Sequence, residues 1–595
     1  MVGRETNPTR GRDLPFRRKL IAALTARIDR LPATIPGRTS RILWAVALAA
    51  LVLGIGCWAT WTLQGGVIAL WSFVVAAIAI ALVLPLPAAL VSPLFVGAAG
   101  WLVDMLPLVT LAGWTAVVVR WGWGLVAERR LPRGGRWIWL PLGLVFWTAL
   151  GVSQIDLSLD LKHFTLLLGI QVLASGVVLA AVDQLTDLVA RTTVIVGLVA
   201  FIVLLSIAVF VEWIGGPIQE MQNDETRKRV EETYGVDAFP NDLGMLKYAR
   251  SSKGGAKEFR AELERFAKDV PELPAFEVFL PKYQAFDTTN IVVRFDGSAR
   301  AFEDELESVG LGVDLIYDNI GLTPANSVPR MRSLARNSLT YAGSCVALFF
   351  LSFYLFWAGQ GRRKWLGLAG VVSSLFGAGF SLARGAWVAI PIGLIYLCID
   401  RLLPGRKKLA LVGAFAAGAL VLTAVFLIKY DVDPVNARAG GDASIATRGS
   451  VYEDTIGAVN GLHFLVGYGT EKPRTESGVS HELGRYIPKA GTHSTYLNYL
   501  FRTGVPGVLA IIALYGLAIV HARAAAVIGR DDERLLRTLL TGALLAAAAH
   551  AVILSLYVEP IYTLTISLVI GLGMAGTTSL PASVIPWRTT PAGKS

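Results

Sequence analysis

The sequence predicts an all-α integral membrane helical bundle of about 12–14 transmembrane helices with a small extracytoplasmic α/β loop subdomain. Three observations predict it. The 595 residues are 54% hydrophobic and only 17% charged, against roughly 25% charged in a soluble domain. Charge is gathered into a few segments between long uncharged runs, as lipid-spanning helices joined by aqueous loops require. Basic clusters recur at alternate ends of the apolar runs, which fixes an orientation.

Residues 1–41 read as a basic cytoplasmic tail, with an amphipathic surface helix around Phe16 to Leu31. The apolar run that follows is too long for a signal-peptide core. Residues 42–214 hold about seven helices, with apolar runs near 42–64, 66–86, 90–106, 107–126, 137–155, 163–182 and 192–214. Residues 215–338 are charged and too long for a simple connector. Within them Ala256 to Lys268 and Ala299 to Ser308 have helical patterns, while Phe276 to Tyr283 and Asn290 to Phe295 read as strands.

Residues 339–429 return to the membrane, with runs near 339–358, 366–384, 386–400 and 409–428 and a turn at Arg384. A second loop spans 430–503. Residues 504–580 supply runs near 504–522, 536–556 and 560–580, and 581–595 form a cytoplasmic tail. Placing the basic tail inside also places Arg129 to Arg133, Arg362 to Lys364, Arg406 to Lys408 and Arg530 to Arg537 inside. Both long loops then face outward from the cytoplasmic membrane.

That distribution accounts for the net charge of +11 and leaves no signature of a nucleic-acid partner. Cys57, Cys345 and Cys398 all fall in apolar runs, so neither loop has a disulfide framework or a thiolate metal site. Asp442, Glu453, Asp454 and Glu476 lie in the second loop without metal-ligand spacing.

Polar chemistry gathers at one surface. Arg384 sits where one apolar run ends and the next begins, in Ser381-Leu382-Ala383-Arg384-Gly385-Ala386-Trp387. An arginine at bilayer depth costs about 2.5–3.5 kcal/mol on insertion scales, so it takes an anionic partner or snorkels to the interface. The second loop carries Arg448, then Gly467-Tyr468-Gly469. It ends on Gly491-Thr492-His493-Ser494-Thr495-Tyr496-Leu497, ahead of Gly504-Val505-Pro506-Gly507. A histidine opening a helix above the membrane has a neutral form available as a base near pH 7. His463 and His481 read as ordinary loop histidines.

In order and spacing over about residues 365–510, these segments resemble the O-antigen ligase and O-antigen polymerase superfamily. The chain departs from the family pattern at Ala383, where a serine is usual, at Ser494, where asparagine is common, and in the length of the 215–338 loop. The resemblance implies a glycosyltransferase with a polyprenyl-diphosphate-linked glycan as donor and a lipid, glycan or protein acceptor, needing no cofactor and no metal. It makes 430–503 the catalytic loop, with Arg384 and Arg448 holding the diphosphate and His493 as general base. Lys472, Arg485, Lys489 and Tyr496 are candidate substrate contacts, Arg336 a further one or an anchor at anionic headgroups.

A transporter or flippase is the reading from another class, and a scaffold whose outer loop binds a partner is a third. Transporters place ionisable residues and broken helices near the bilayer midplane, often in two related halves. Here Asp104, His163, Asp183, Glu212, Asp400 and Glu559 fall mostly at helix ends, and no repeat is evident.

Overall fold

The computed structural model describes residues 66–100, 106–133, 135–155, 161–215, 228, 230–236, 243–248, 255–269, 276–280, 290–295, 302, 305–306, 313–318, 323–324, 333–335, 337–430, 452, 455–457, 459–469, 494–553 and 559–576. The apolar run at 42–64 and the basic tail lie outside them.

The first half of the bundle is α1 (Gly66–Val83), α2 (Ser92–Gly100), α3 (Leu106–Glu128), α4 (Trp139–Leu150), α5 (Leu161–Gln184) and α6 (Leu188–Gly215). The second half is α8 (Ser338–Ala358), α9 (Arg362–Phe380), α10 (Arg384–Ile399), α11 (Gly405–Tyr430), the short α12 (His463–Val466), α13 (Thr495–Ile528), α14 (Asp531–Ile553) and α15 (Pro560–Met574). Among the described residues seven helices are long and apolar enough to cross a bilayer, and four shorter apolar helices accompany them. This is a multi-pass helical membrane protein. Of the run expected at 90–106, α2 covers Ser92–Gly100, and residues 101–105 lie outside the described residues. A four-residue helix, Leu86–Ala89, precedes it. Pro87 and Pro93 stand in the first turns of these two helices, where a missing amide donor costs no intrahelical bond.

One core runs through both halves, with α8 at its centre: most of that helix is buried. Small residues let the backbones approach closely, as lipid-embedded interfaces require. A Cβ on Gly370 would collide with Ser352 and Val199, and one on Gly377 with Cys345 and Tyr341.

Ion pairs tie helix ends together on the face that carries the basic clusters. The Asp183 carboxylate, wholly buried, accepts from Arg130 at 2.6 and 2.9 Å, from the Trp121 indole at 3.0 Å and from the Arg133 amide at 2.8 Å. Arg130, thus paired, is held more firmly in its charged form than a free arginine. Glu533 pairs with Arg191 and, at 2.7 Å, with Arg537, whose other nitrogens donate to the terminal carbonyls of α15 at Leu572, Gly573 and Ala575. Arg523 meets Asp400 at 2.8 Å. Glu559, on the opposite face, accepts from Asn337 at 3.3 Å. Removing one member of a buried pair strands the other, so Asp183→Ala is expected to destabilise the bundle by about 3 kcal/mol. A thermal melt in detergent reads this as a lower midpoint, and an unchanged midpoint would contradict it.

Between α6 and α8 stands the small subdomain. It contains β1 (Leu243–Tyr248), α7 (Gly255–Asp269), β2 (Phe276–Phe279), β3 (Asn290–Phe295), β4 (Val313–Asp318) and β5 (Thr323–Pro324). The sheet is antiparallel in the order β2-β3-β1-β4-β5. With helical residues Phe302, Glu305 and Leu306 between β3 and β4, the path is the split β-α-β-β-α-β arrangement. Phe259 and Leu263 of α7, with Phe302 and Leu306, bury one face of the sheet against Leu246, Ile291, Val293 and Phe295. Phe295 and Phe302 stack at 5.4 Å. Val230, Tyr234 and Val236 cover Leu243, Met245 and Val292. The second expected strand matches β3, the first stops at Phe279, and β1, β4 and β5 have no counterpart in the sequence reading.

Candidate active site

Two local structures on the face opposite the basic clusters hold the described part of the site. The first is the turn between α9 and α10. The amides of Ser381 and Leu382 donate to Gly377 and Gly379 at 3.1 and 3.0 Å, closing α9, and Leu382 then adopts φ 51°. A left-handed leucine costs about 1–2 kcal/mol, offset here by burial of its side chain. The Ser381 hydroxyl and the Trp387 indole both donate to the Ala378 carbonyl, at 3.0 and 2.8 Å. Ala383 follows in extended conformation as the cap of α10, with no side chain able to bond the first-turn amides.

Arg384 is therefore the first residue of α10, half-buried, at the positive end of a helix dipole. A helix start that carries an arginine as its first residue is a setting that suits an anion. The serine absent at 383 removes a cap that would have competed for those amides.

The second structure is a clasp on α13. Ser494 caps that helix by accepting from the Leu497 amide at 3.4 Å. Ten residues on, the helix breaks at Gly504, with φ 67° and ψ −170°. In an unbroken helix the Phe501 carbonyl would be taken by the amide of residue 505 and that of Arg502 by residue 506. Residue 506 is proline and has no N–H. The freed carbonyls are taken instead by Gly467-Tyr468-Gly469: the Tyr468 amide donates to Phe501 at 2.7 Å and the Gly469 amide to Arg502 at 3.0 Å. Gly467 itself has φ 68° and ψ −164°, a region that only glycine occupies readily. The rings reinforce this pairing. His463 stacks on Tyr468 at 3.9 Å, Tyr468 stacks on Phe501 at 4.5 Å, and the His463 Nδ1 lies 3.1 Å from the Gly467 carbonyl oxygen.

α14 packs against both α10 and α13 and so ties the two structures into one body. Below the start of α13 a narrow, mainly apolar cleft opens between α4, α5, α13 and α15. Its wall holds a relay in which the Tyr499 hydroxyl donates to Gln171 at 2.7 Å and Gln171 donates to Ser175 at 3.1 Å. Tyr496 points elsewhere, its hydroxyl donating to the Ala548 carbonyl at 3.2 Å. Arg336, Arg448, Lys472, Arg485, Lys489 and His493 lie outside the described residues. Among the described residues no cluster of His, Cys, Asp and Glu has the geometry to hold a metal.

Sequence reasoning missed Arg502. It starts the last group of apolar runs near 504, which leaves residue 502 ahead of the membrane segment. The helix begins at Thr495, and Arg502 is one of the largest fully buried side chains of the protein. A charge two residues ahead of an apolar run was the available signal.

Residues 369–512 match the family model for O-antigen ligase. This part of the chain is similar to the O-antigen ligase family. No curated protein and no solved structure matches the chain. The matched segment takes in most of α9, all of α10, α11 and α12, and α13 to just past its break. Both local structures, the Arg384 turn and the clasp, fall inside it.

Proposed function

We propose that the protein is a membrane glycosyltransferase of the O-antigen ligase type. It moves a glycan from a polyprenyl-diphosphate donor to an acceptor hydroxyl on the extracytoplasmic face of the cytoplasmic membrane, with inversion and without a metal. The observation that carries this reading is the family match over 369–512, which takes in Arg384, Arg448 and His493 together. The distribution of acidic residues supports it over transport. Asp183, Asp400 and Glu559 are engaged in latches at helix ends, whereas a transporter sets such groups at the midplane.

In this mechanism His493 takes the proton of the acceptor hydroxyl as its oxygen attacks the anomeric carbon. The bond from that carbon to the phosphate oxygen breaks, and its electron pair stays on the departing diphosphate. Arg384 and Arg448 stabilise the charge that develops there, because guanidinium groups pair with phosphate oxygens bidentately and do not deprotonate. A single displacement of this kind inverts the anomeric centre.

His493→Ala is expected to lower transfer by about 10²–10⁴-fold while leaving donor binding intact. Full transfer by correctly inserted His493→Ala protein would overturn the assignment of the base.

A further inference from the structure

We propose that the turn at residues 461–466, which leads into the clasp, is an interfacial membrane anchor. Leu462, Phe464 and Leu465 sit among lipid at the headgroup and acyl boundary and fix the depth of the catalytic loop. Three observations carry this.

The three side chains stand 61%, 50% and 51% exposed, next to one another. They are held in that state by their own backbone. The Trp147 indole of α4 donates to the Leu465 carbonyl at 2.7 Å, and Gly504 of α13 packs against the Phe464 carbonyl oxygen. The turn thus has no freedom to fold its apolar groups inward, and adjacent apolar side chains fixed outward mark a contact surface.

The patch also continues a lipid-facing surface. On α4, Trp139, Leu142 and Phe146 are exposed at helical spacing, the stripe that a membrane helix turns to lipid. Trp147 follows directly and reaches across to the turn. Its partly exposed indole, with the N–H satisfied, is of the kind enriched at bilayer interfaces. Finally, residues 455–469 contain no Asp, Glu, Lys or Arg, so no carboxylate, ammonium or guanidinium in the segment opposes entry of its apolar tip into the boundary region. Lipid is the occupant this continuity favours.

The test is made on full-length protein in lipid nanodiscs. A spin label is placed at Phe464→Cys, and separately at Leu462→Cys, with Cys57, Cys345 and Cys398 replaced by alanine. Each label is expected to be reached by oxygen and shielded from a water-soluble nickel chelate, at a depth of about 5–10 Å. A label at Asn460→Cys serves as the aqueous reference. Equal access of the chelate to positions 460, 462 and 464 would place the turn in water and overturn the proposal. Shielding from both reagents would mean that protein covers the patch and would overturn it equally. If the cysteine-free background does not fold, unaltered protein with a photoreactive phospholipid supplies the second reading: adducts on 462–465 are expected alongside those on Trp139 to Phe146. Adducts on α4 alone would contradict the anchor.

Discussion

Arg384→Ala is expected to lower glycan transfer by about 10²–10³-fold, the usual loss when one donor to a developing anion is removed. The side chain is half-buried at the first position of α10, outside the packed core. Abundance and melting temperature are therefore expected to stay near wild type. Arg384→Lys keeps the charge but not the planar fork, so it is expected to recover only part of the rate. The turn explains why the position is demanding. Leu382 is held left-handed and Ala383 extended, which sets Arg384 as the first residue of α10. Wild-type rates in the alanine variant would remove Arg384 from the mechanism and leave it as an interfacial residue.

Gly504→Ala is expected to open the clasp on α13 and to destabilise the protein. The backbone there has φ 67° and ψ −170°, and a Cβ would stand 2.6 Å from the Phe464 carbonyl oxygen. The conformational cost alone is about 1–3 kcal/mol, and the collision adds to it because both partners are backbone. The clasp is expected to detach, freeing the Phe501 and Arg502 carbonyls in a buried setting. Limited proteolysis within 455–469 reads that detachment, together with a lower melting temperature. Gly461→Ala is the control. It also has positive φ, 53°, but its Cβ would meet open space, so a loss of only about 1 kcal/mol is expected. Equal effects from the two variants would show that the close approach at Gly504 contributes nothing.

The helical membrane architecture was legible because lipid acts on composition: a spanning segment must be apolar along its whole length whatever it packs against. Helix ends were less legible where a polar residue has a buried role. Thr495 to Thr503 reads as a short helix ahead of the apolar run because Asn498 and Arg502 are polar, yet both are buried and the segment is continuous with α13. In the subdomain, β3 shows a plain strand pattern. β1, Leu-Gly-Met-Leu-Lys-Tyr, does not, because its neighbours cover both of its faces and no alternation survives. At the site, Arg384 and the Gly467-Tyr468-Gly469 triplet stand out in the sequence as residue types. What the triplet does depends on Pro506 withholding an amide from the Arg502 carbonyl, a relation that appears only when distant segments meet.

The central claim, metal-independent transfer from a lipid diphosphate, is tested most directly by reconstitution. Purified protein is given a polyprenyl-diphosphate glycan and a hydroxyl acceptor in the presence of a strong chelator, and the release of free polyprenyl diphosphate is followed alongside glycosylated product. The account predicts equimolar release and product formation with no nucleotide sugar, lost in His493→Ala and reduced in Arg384→Ala. A strict need for a divalent cation or a nucleotide sugar, or movement of the intact lipid-linked glycan across the bilayer without cleavage, would contradict it.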